Sequence, residues 1–161
     1  MTRDSVFLLA RVSSLLIADP SVEARRIRGD DLDPVAQLFA DASVGQTSVT
    51  HARELMDELA LGLRGDPWPR AWLGIWDGGS VPLAAIVCTR WMGVPYVAHI
   101  ATAPTAQRRG YASSLIRQVA MVADADGDTA LGGVVERDSS SMGLYLELGF
   151  DEIPAPAGLL I

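Results

Sequence analysis

The sequence predicts an α/β fold, a mixed sheet with helices packed on its faces, and three observations carry that prediction. Apolar residues recur at helical spacing early in the chain, then gather from Ala71 into short strand-like runs. The elements so read follow the order β-α-α-β-β-β-α-β-α-β, which distributes helices over the faces of one sheet. The strand-like run Tyr96–Thr102 is broken at Pro104 and leads through Gln107-Arg108-Arg109-Gly110-Tyr111-Ala112 straight into a helical run. With 161 residues, 49% of them apolar and 20% charged, the chain is long enough to bury a core of its own as one domain.

Residues 1–22 read as an N-terminal extension or an extra strand, and 23–161 as the main domain. Val6 to Ile17 is rich in apolar residues behind Arg3, as a signal peptide would be. Arg11 and the Ser13-Ser14 pair interrupt it, however, and no small-x-small cleavage site follows. The run is also too short to span a bilayer. Arg25–Arg28 reads as a short strand. Gly29-Asp30-Asp31 turns into a helix capped by Asp31 or Asp33, with Pro34 in its first turn and Val35, Leu38 and Phe39 on one face to about Ala42. A polar break at Gly45–Ser48 precedes a second helix, Val49 to Leu63, striped by Leu55, Leu59 and Leu63 and ended by Gly65-Asp66-Pro67.

Ala71–Trp76 and Val81–Trp91 are strands joined by the hairpin turn Asp77-Gly78-Gly79-Ser80, and Tyr96–Thr102 follows the turn Met92–Pro95. Leu115, Ile116, Val119, Val122 and Ala123 mark the helix from Tyr111 to about Ala125. Ala130–Val135 is a strand and Ser139–Leu148 a helix stopped by Gly149. Phe150–Ile153 and Gly158–Ile161 read as short closing strands, with Pro154 and Pro156 breaking the region between them.

A formal charge of −7 argues against nucleic acid as a partner and suits a cationic small molecule or a basic peptide. The single Cys88, inside the apolar run Val81–Arg90, forms neither an intramolecular disulfide nor a multi-cysteine metal site. A reducing cytoplasm is therefore the default expectation, with no membrane partner. The sequence holds no His, Cys and carboxylate cluster at metal-ligand spacing, no G-x-S-x-G elbow and no Walker loop. It does hold a strand, a short turn with a glycine, and a helix start, where backbone N–H groups converge on an anion. Arg108 and Arg109 beside those donors point to a phosphate-bearing ligand, although an ordinary β-to-α turn with a solvated basic corner has the same features.

Together with His99-Ile100-Ala101-Thr102-Ala103-Pro104 before it, Gln107–Ala112 resembles the acetyl-coenzyme A signature of the GNAT N-acetyltransferases, (Q/R)-x-x-G-x-(G/A). Leu144-Tyr145-Leu146-Glu147-Leu148-Gly149-Phe150 resembles that superfamily's L-Y-x-x-L-G-F motif. The two stand in the family's order with one strand between them, and the resemblance covers about residues 23–153. It implies a mostly antiparallel sheet with a splayed central strand pair, an N-acetyltransferase domain over 23–161, and acetyl-coenzyme A as co-substrate with no metal. The N–H groups from Arg108 through Ala112, flanked by Gln107 and Ser113, would cradle the pyrophosphate, and Gly110 would let the backbone approach it.

The resemblance further implies that backbone groups of Ile100, Ala101 and Thr102 pair with the pantetheine arm, an N–H there polarising the thioester carbonyl. It gives Tyr145 the role of protonating the departing thiolate. A phenol with a pKa of about 10 is protonated at neutral pH and able to donate; an aromatic packed on the sheet is the plainer reading of the same residue. Many members carry an asparagine where this chain has Asp138, whose carboxylate would accept an amide bond but repel phosphate.

Direct attack on a thioester needs a neutral amine, so a proton must leave. His99 adjoins the acetyl-binding stretch and titrates in a useful range, Glu136 lies near the end of its strand, and a water chain needs neither; the sequence leaves all three open. In such folds the first two helices and their loop line the acceptor pocket. That is about Leu38 to Trp72 here, and Asp41, Glu54, Asp57 and Glu58 would attract a cationic amine or simply solubilise helix faces. The expectation is acetyl transfer from acetyl-coenzyme A to a primary amine of a small molecule, peptide or protein, and the alternative is a non-catalytic coenzyme A-binding sensor. The stretch after Phe150 is short where the family completes a β-hairpin, so a partner subunit, as in a homodimer, is one way to finish the sheet.

Overall fold

The apolar runs assemble into one eight-stranded sheet in a computed structural model, which describes residues 4–43 and 45–160. In chain order the elements are β1 (Ser5–Arg11), α1 (Val12–Leu15), β2 (Arg25–Arg26), α2 (Leu32–Ala42), α3 (Val49–Ala60), β3 (Asp66–Pro67), β4 (Leu73–Trp76), β5 (Pro82–Trp91), β6 (Val94–Thr102), α4 (Tyr111–Ala125), β7 (Ala130–Glu136), α5 (Ser140–Glu147) and β8 (Asp151–Ile153). The sheet runs β2-β4-β5-β6-β7-β1-β8 with β3 on β5. Among the described residues β6 and β7 are the only strands that pair in parallel, so the sheet is mixed and mostly antiparallel, as predicted.

Helices cover both faces because their apolar residues recur on one side. α4 buries Leu115, Ile116, Val119 and Ala123, and α5 buries Tyr145, against Leu8, Ile86, Cys88 and Leu131 of the sheet. On the opposite face α2 and α3 bury Val35, Ala36, Met56 and Leu59 against Ala85 and Val87. Each fully buried aliphatic side chain contributes roughly 1.5–3 kcal/mol of transfer free energy. That is what holds the helices in register with the strands.

Several boundaries depart from the sequence reading for local reasons. α3 stops at Ala60, because Gly62 adopts φ +80, and Leu63 is left 70% exposed instead of extending the Leu55–Leu59 stripe. The first strand of the main domain shortens to Arg25–Arg26 as the chain enters a helical turn at Gly29, and Pro69–Ala71 is another such turn that delays β4 to Leu73. Gly158–Leu160 is a turn rather than a strand, with Leu159 tucked against Phe7 and Tyr96; Ile161 lies outside the described residues.

β1 has the most consequence for topology. It lies between β7 and β8, antiparallel to both, with Phe7 opposite Val134 on one side and Ile153 on the other. Gly132 makes room for it, since a β-carbon there would collide with the Phe7 ring. The position beside the short β8 is thus filled from within the chain. The segment after α1 then crosses α4: the Ser21 and Val22 N–H groups donate to Ser114 Oγ at 2.9 and 3.2 Å, and Gln118 bonds the Ala24 N–H and the Val22 carbonyl, each at 2.9 Å.

Candidate active site

β5 and β6 pair in step from Trp91↔Val94 to Cys88↔Val97, after which Val87 faces His99 and Ala98 is the extra residue of a bulge. A bulge sets two consecutive side chains on one face and bends its strand. Val97 packs into the core under α4, and strict alternation would send His99 after it. The bulge instead turns His99 toward α2 and α3, where its ring lies 5.9 Å from that of Phe39, tilted by 51°. β6 also parts from β7 at this point: their ladder holds only Tyr96↔Gly132 and Val97↔Gly133. Beyond Val97, the side of β6 that faced β7 has no strand partner among the described residues, while β5 keeps its other side as far as Ala84↔Thr102. An open strand edge of this kind accepts an extended ligand through main-chain hydrogen bonds.

Past the end of β6, Arg108 (φ +65) and Gly110 (φ +77) both take left-handed backbone conformations. Glycine does so freely, whereas for an arginine it costs roughly 1–2 kcal/mol. Among the described residues only Ser21 Oγ comes near where a Gly110 β-carbon would stand, at 3.5 Å. The first hydrogen bond of α4 runs from the Ser114 N–H to the Gly110 carbonyl at 3.0 Å. The N–H groups of Tyr111, Ala112 and Ser113 are therefore left without partners among the described residues. No acidic side chain occupies that first turn, so the positive end of the helix is not neutralised from within. Free donors and an uncompensated dipole suit an anion.

A cleft of about 300 Å³ lies over this loop, bordered by Arg108, Gly110, Tyr111 and Ser113. A second, of about 330 Å³, opens between α2, α3 and the splayed end of β6. Thr102, Gln107, Ala112 and Leu144 line both, which joins them into one groove. Ile100, Ala101 and Thr102 lie along it, with Ser140, Ser141 and Leu144 of α5 on one side and Phe39, Leu55 and Met56 of α2 and α3 on the other. The groove walls desolvate the His99 ring and pull its pKa down to about 4, with Arg64 and His51 adding unfavourable charge. The ring keeps a solvent-exposed face, which moderates the shift, and it is neutral at neutral pH.

Tyr145 lies at the root of the splay. Its ring packs edge-on against Phe150, 4.9 Å between centroids, and over Gly133, where a β-carbon would press on the ring. Gly133 is the residue paired with Val97, the last rung of β6 and β7. The hydroxyl has no hydrogen-bond partner among the described residues, and burial pushes the phenol pKa well up. Tyr145 does not itself line either cleft.

Of the residues read from the sequence, the groove brings together His99, Ile100, Ala101, Thr102, Gln107, Arg108, Gly110, Tyr111, Ala112 and Ser113. Arg109, Glu136 and Asp138 are exposed and outside its lining; Glu136 stands at the end of β7 opposite Ser5. The acidic residues of α2 and α3 are also outside it. Asp41 accepts a bond from Gln37, Asp57 from Arg53 and Glu58 from Arg64. The sequence reading did not single out Leu55, Met56 and Thr47 as wall residues. Ala52, Leu55 and Met56 follow an i, i+3, i+4 spacing that marks one face of α3, and that signal was available.

This fold, with its splayed strand pair and turn-to-helix groove, is that of the GNAT superfamily. Residues 72–156, more than half of the chain, match the family described as FR47-like protein, and the chain belongs to that family. Among solved structures it is similar to a GCN5-related N-acetyltransferase from Sphaerobacter thermophilus, at 14% identity and a TM-score of 0.68, over 92% of this chain and 48% of that one. A GNAT-family acetyltransferase from Colwellia psychrerythraea aligns at 14% identity and a TM-score of 0.72, over 92% and 52%. The PaiA N-acetyltransferase from Thermoplasma acidophilum, in complex with coenzyme A, aligns at 14% identity and 0.66, over 85% and 94%. The chain spans about half the length of the first two. At these identities the likeness is one of fold. No curated protein sequence matches the chain. Among the described residues, no helix is long and apolar enough to cross a membrane and no group of His, Cys, Asp and Glu is placed to hold a metal ion.

Proposed function

We propose that this protein transfers an acetyl group from acetyl-coenzyme A to a primary amine. The observation that carries this reading is the continuity of the groove. It starts at unpartnered N–H groups, follows an open strand edge and ends in a cleft walled by side chains. A ligand with phosphates at one end, an amide-bearing arm and a reactive group at the other matches that order of surfaces. Bound acetyl-coenzyme A would supply an activated thioester: the amine lone pair attacks the carbonyl carbon, the C–S bond breaks, and one N–H proton ends on the released thiol.

The chain's own residues divide the work. The N–H groups from Arg108 to Ser113 hold the phosphates, with Gly110 giving clearance and Gln107 bordering the arm. Arg109 and Asp138, exposed at the margin, add little through water. A backbone N–H among Ile100, Ala101 and Thr102 polarises the carbonyl and stabilises negative charge on its oxygen. Tyr145 keeps its proton and, from its buried place behind the groove lining at the root of the splay, donates a hydrogen bond to a sulfur that enters the splay, as charge develops. Its raised pKa makes full transfer to a thiolate of pKa about 8.5 uphill, so the bond itself is its main contribution. His99 is too weak a base to strip an ammonium ion; it accepts a hydrogen bond from the amine or a water. An amine that arrives as an ammonium ion gives up its extra proton to water before it attacks, and water is likewise the route by which Glu136, outside the groove, would receive it.

Replacing Tyr145 by Phe keeps the ring packing and removes the hydroxyl. Turnover should fall by about 10- to 100-fold, the worth of a hydrogen bond to a charged group, with little change in acetyl-coenzyme A affinity. Unaltered turnover in Tyr145→Phe would remove it from the mechanism. Binding of acetyl-coenzyme A with no thiol release across an amine panel would make the protein a coenzyme A-binding sensor instead.

A further inference from the structure

Resting on the acetyl-transfer reading, we propose that the acceptor is a small primary amine on an uncharged apolar skeleton, taken up as its free base, and not a polyamine or other polycation. The cleft walls carry this. Among the described residues, no Asp, Glu, Lys or Arg side chain lines the acceptor cleft. Its acceptor-side walls are Phe39, Leu55 and Met56, and its polar groups there are Ser43, Thr47 and His99.

The carboxylates nearest in sequence are committed elsewhere. Asp41 is bonded to Gln37, Asp57 is paired with Arg53, and Glu58 is paired with Arg64. Glu54 is exposed and outside the lining. The polar groups that remain in the cleft are neutral. Ser43 Oγ donates to the Ala40 carbonyl at 2.7 Å and accepts from the Thr47 N–H at 2.9 Å, so it is spent on the loop. His99, beside the Phe39 ring and with one face open to solvent, offers a ring nitrogen that accepts an amine N–H but balances no charge. A cation brought here would lose water and meet no counter-charge, while an apolar skeleton gains by leaving water. The lone Phe39 ring is a weak substitute for a carboxylate, since an attractive cation–π site uses Trp first or several rings.

Calorimetric titration of the coenzyme A-loaded protein with 2-phenylethylamine and with spermidine tests this directly. The expected result is at least tenfold tighter binding of 2-phenylethylamine, its affinity rising about tenfold per pH unit below the amine pKa because only the free base enters. Leu55→Glu, on a half-buried wall position, should erase or invert the preference. Equal or tighter binding of spermidine, or binding of neither amine, overturns the proposal. So does a folded Leu55→Glu variant with the wild-type preference; should that variant not fold, the wild-type titrations decide alone. Thiol release from acetyl-coenzyme A is measured alongside. Tight 2-phenylethylamine binding without release would sink the transfer reading and leave the cleft's preference standing. Release with spermidine and not with 2-phenylethylamine would do the reverse.

Discussion

The two ends of the groove are built from different materials. The loop end is main chain: left-handed turns at Arg108 and Gly110, free N–H groups at the start of α4, and the open edge of β6. The cleft end is side chain: Phe39, Leu55, Met56 and His99, gathered from two helices and a strand. Main-chain recognition depends on local shape, which tolerates almost any side chain except where a β-carbon intrudes. Side-chain recognition depends on which faces of distant elements meet. The first end is thus suited to one constant ligand, and the second can change its acceptor by single substitutions without disturbing the fold.

The sharpest way to break this contrast is at Gly110. A valine there must adopt φ near +77, which a β-branched residue resists, or the turn must flip and carry the free N–H groups away. Gly110→Val should weaken acetyl-coenzyme A binding at least about tenfold, since each 1.4 kcal/mol of strain or lost contact is a factor of ten. The helical signal by circular dichroism should persist. Undiminished affinity would mean that the loop is not where the donor is held.

The same contrast explains what the sequence disclosed. The loop was legible because a glycine between a strand and a helical run marks a backbone turn that other residues resist, and the element order was legible from hydrophobic period alone. The Ala98 bulge was not, for a single extra residue leaves no mark in Val97-Ala98-His99, yet it decides which face His99 takes. The place of β1 between β7 and β8 was equally hidden. Its apolar run was visible, but pairing across the length of the chain depends on partners such as Gly132 that make room for Phe7. Asp57 pairs with Arg53 at i, i+4 on α3, a spacing the sequence does show, whereas Glu58 is held by Arg64 from beyond the Gly62 turn, a contact no helical spacing marks.

Gly133 gives a smaller effect, in the seam between the two ends. A β-carbon there would stand 2.7 Å from the Tyr145 ring, closer than packed atoms approach, so Gly133→Ala must move the ring or the strand. Overpacking of this kind costs about 1–3 kcal/mol. Thermal unfolding should fall by roughly 2–10 °C for a domain of this size. Turnover should fall with it, because the hydroxyl leaves the root of the splay, while acetyl-coenzyme A affinity changes less than in Gly110→Val. A variant as stable and active as the parent would show that Tyr145 has freedom its packing denies.

The smallest effect concerns His99 and is read as pH dependence. Its pKa in the folded protein is lowered toward about 4 from an ordinary 6.5, first by desolvation between the cleft walls. Between those values the unfolded chain binds more protons than the folded one, so stability rises with pH across that window. The contribution is complete above about pH 6.5 and is lost as the pH falls toward 4, below which both states are protonated and the slope vanishes. Because the ring keeps an exposed face, the loss is smaller than the whole shift would imply. Urea midpoints measured from pH 4 to 7 should therefore fall more steeply on acidification for the parent than for His99→Asn, with the carboxylates common to both cancelling in the difference. Parallel curves would mean that the ring is fully hydrated. The bulge would then aim His99 past the cleft, and the side-chain end of the groove would lose its one titrating wall.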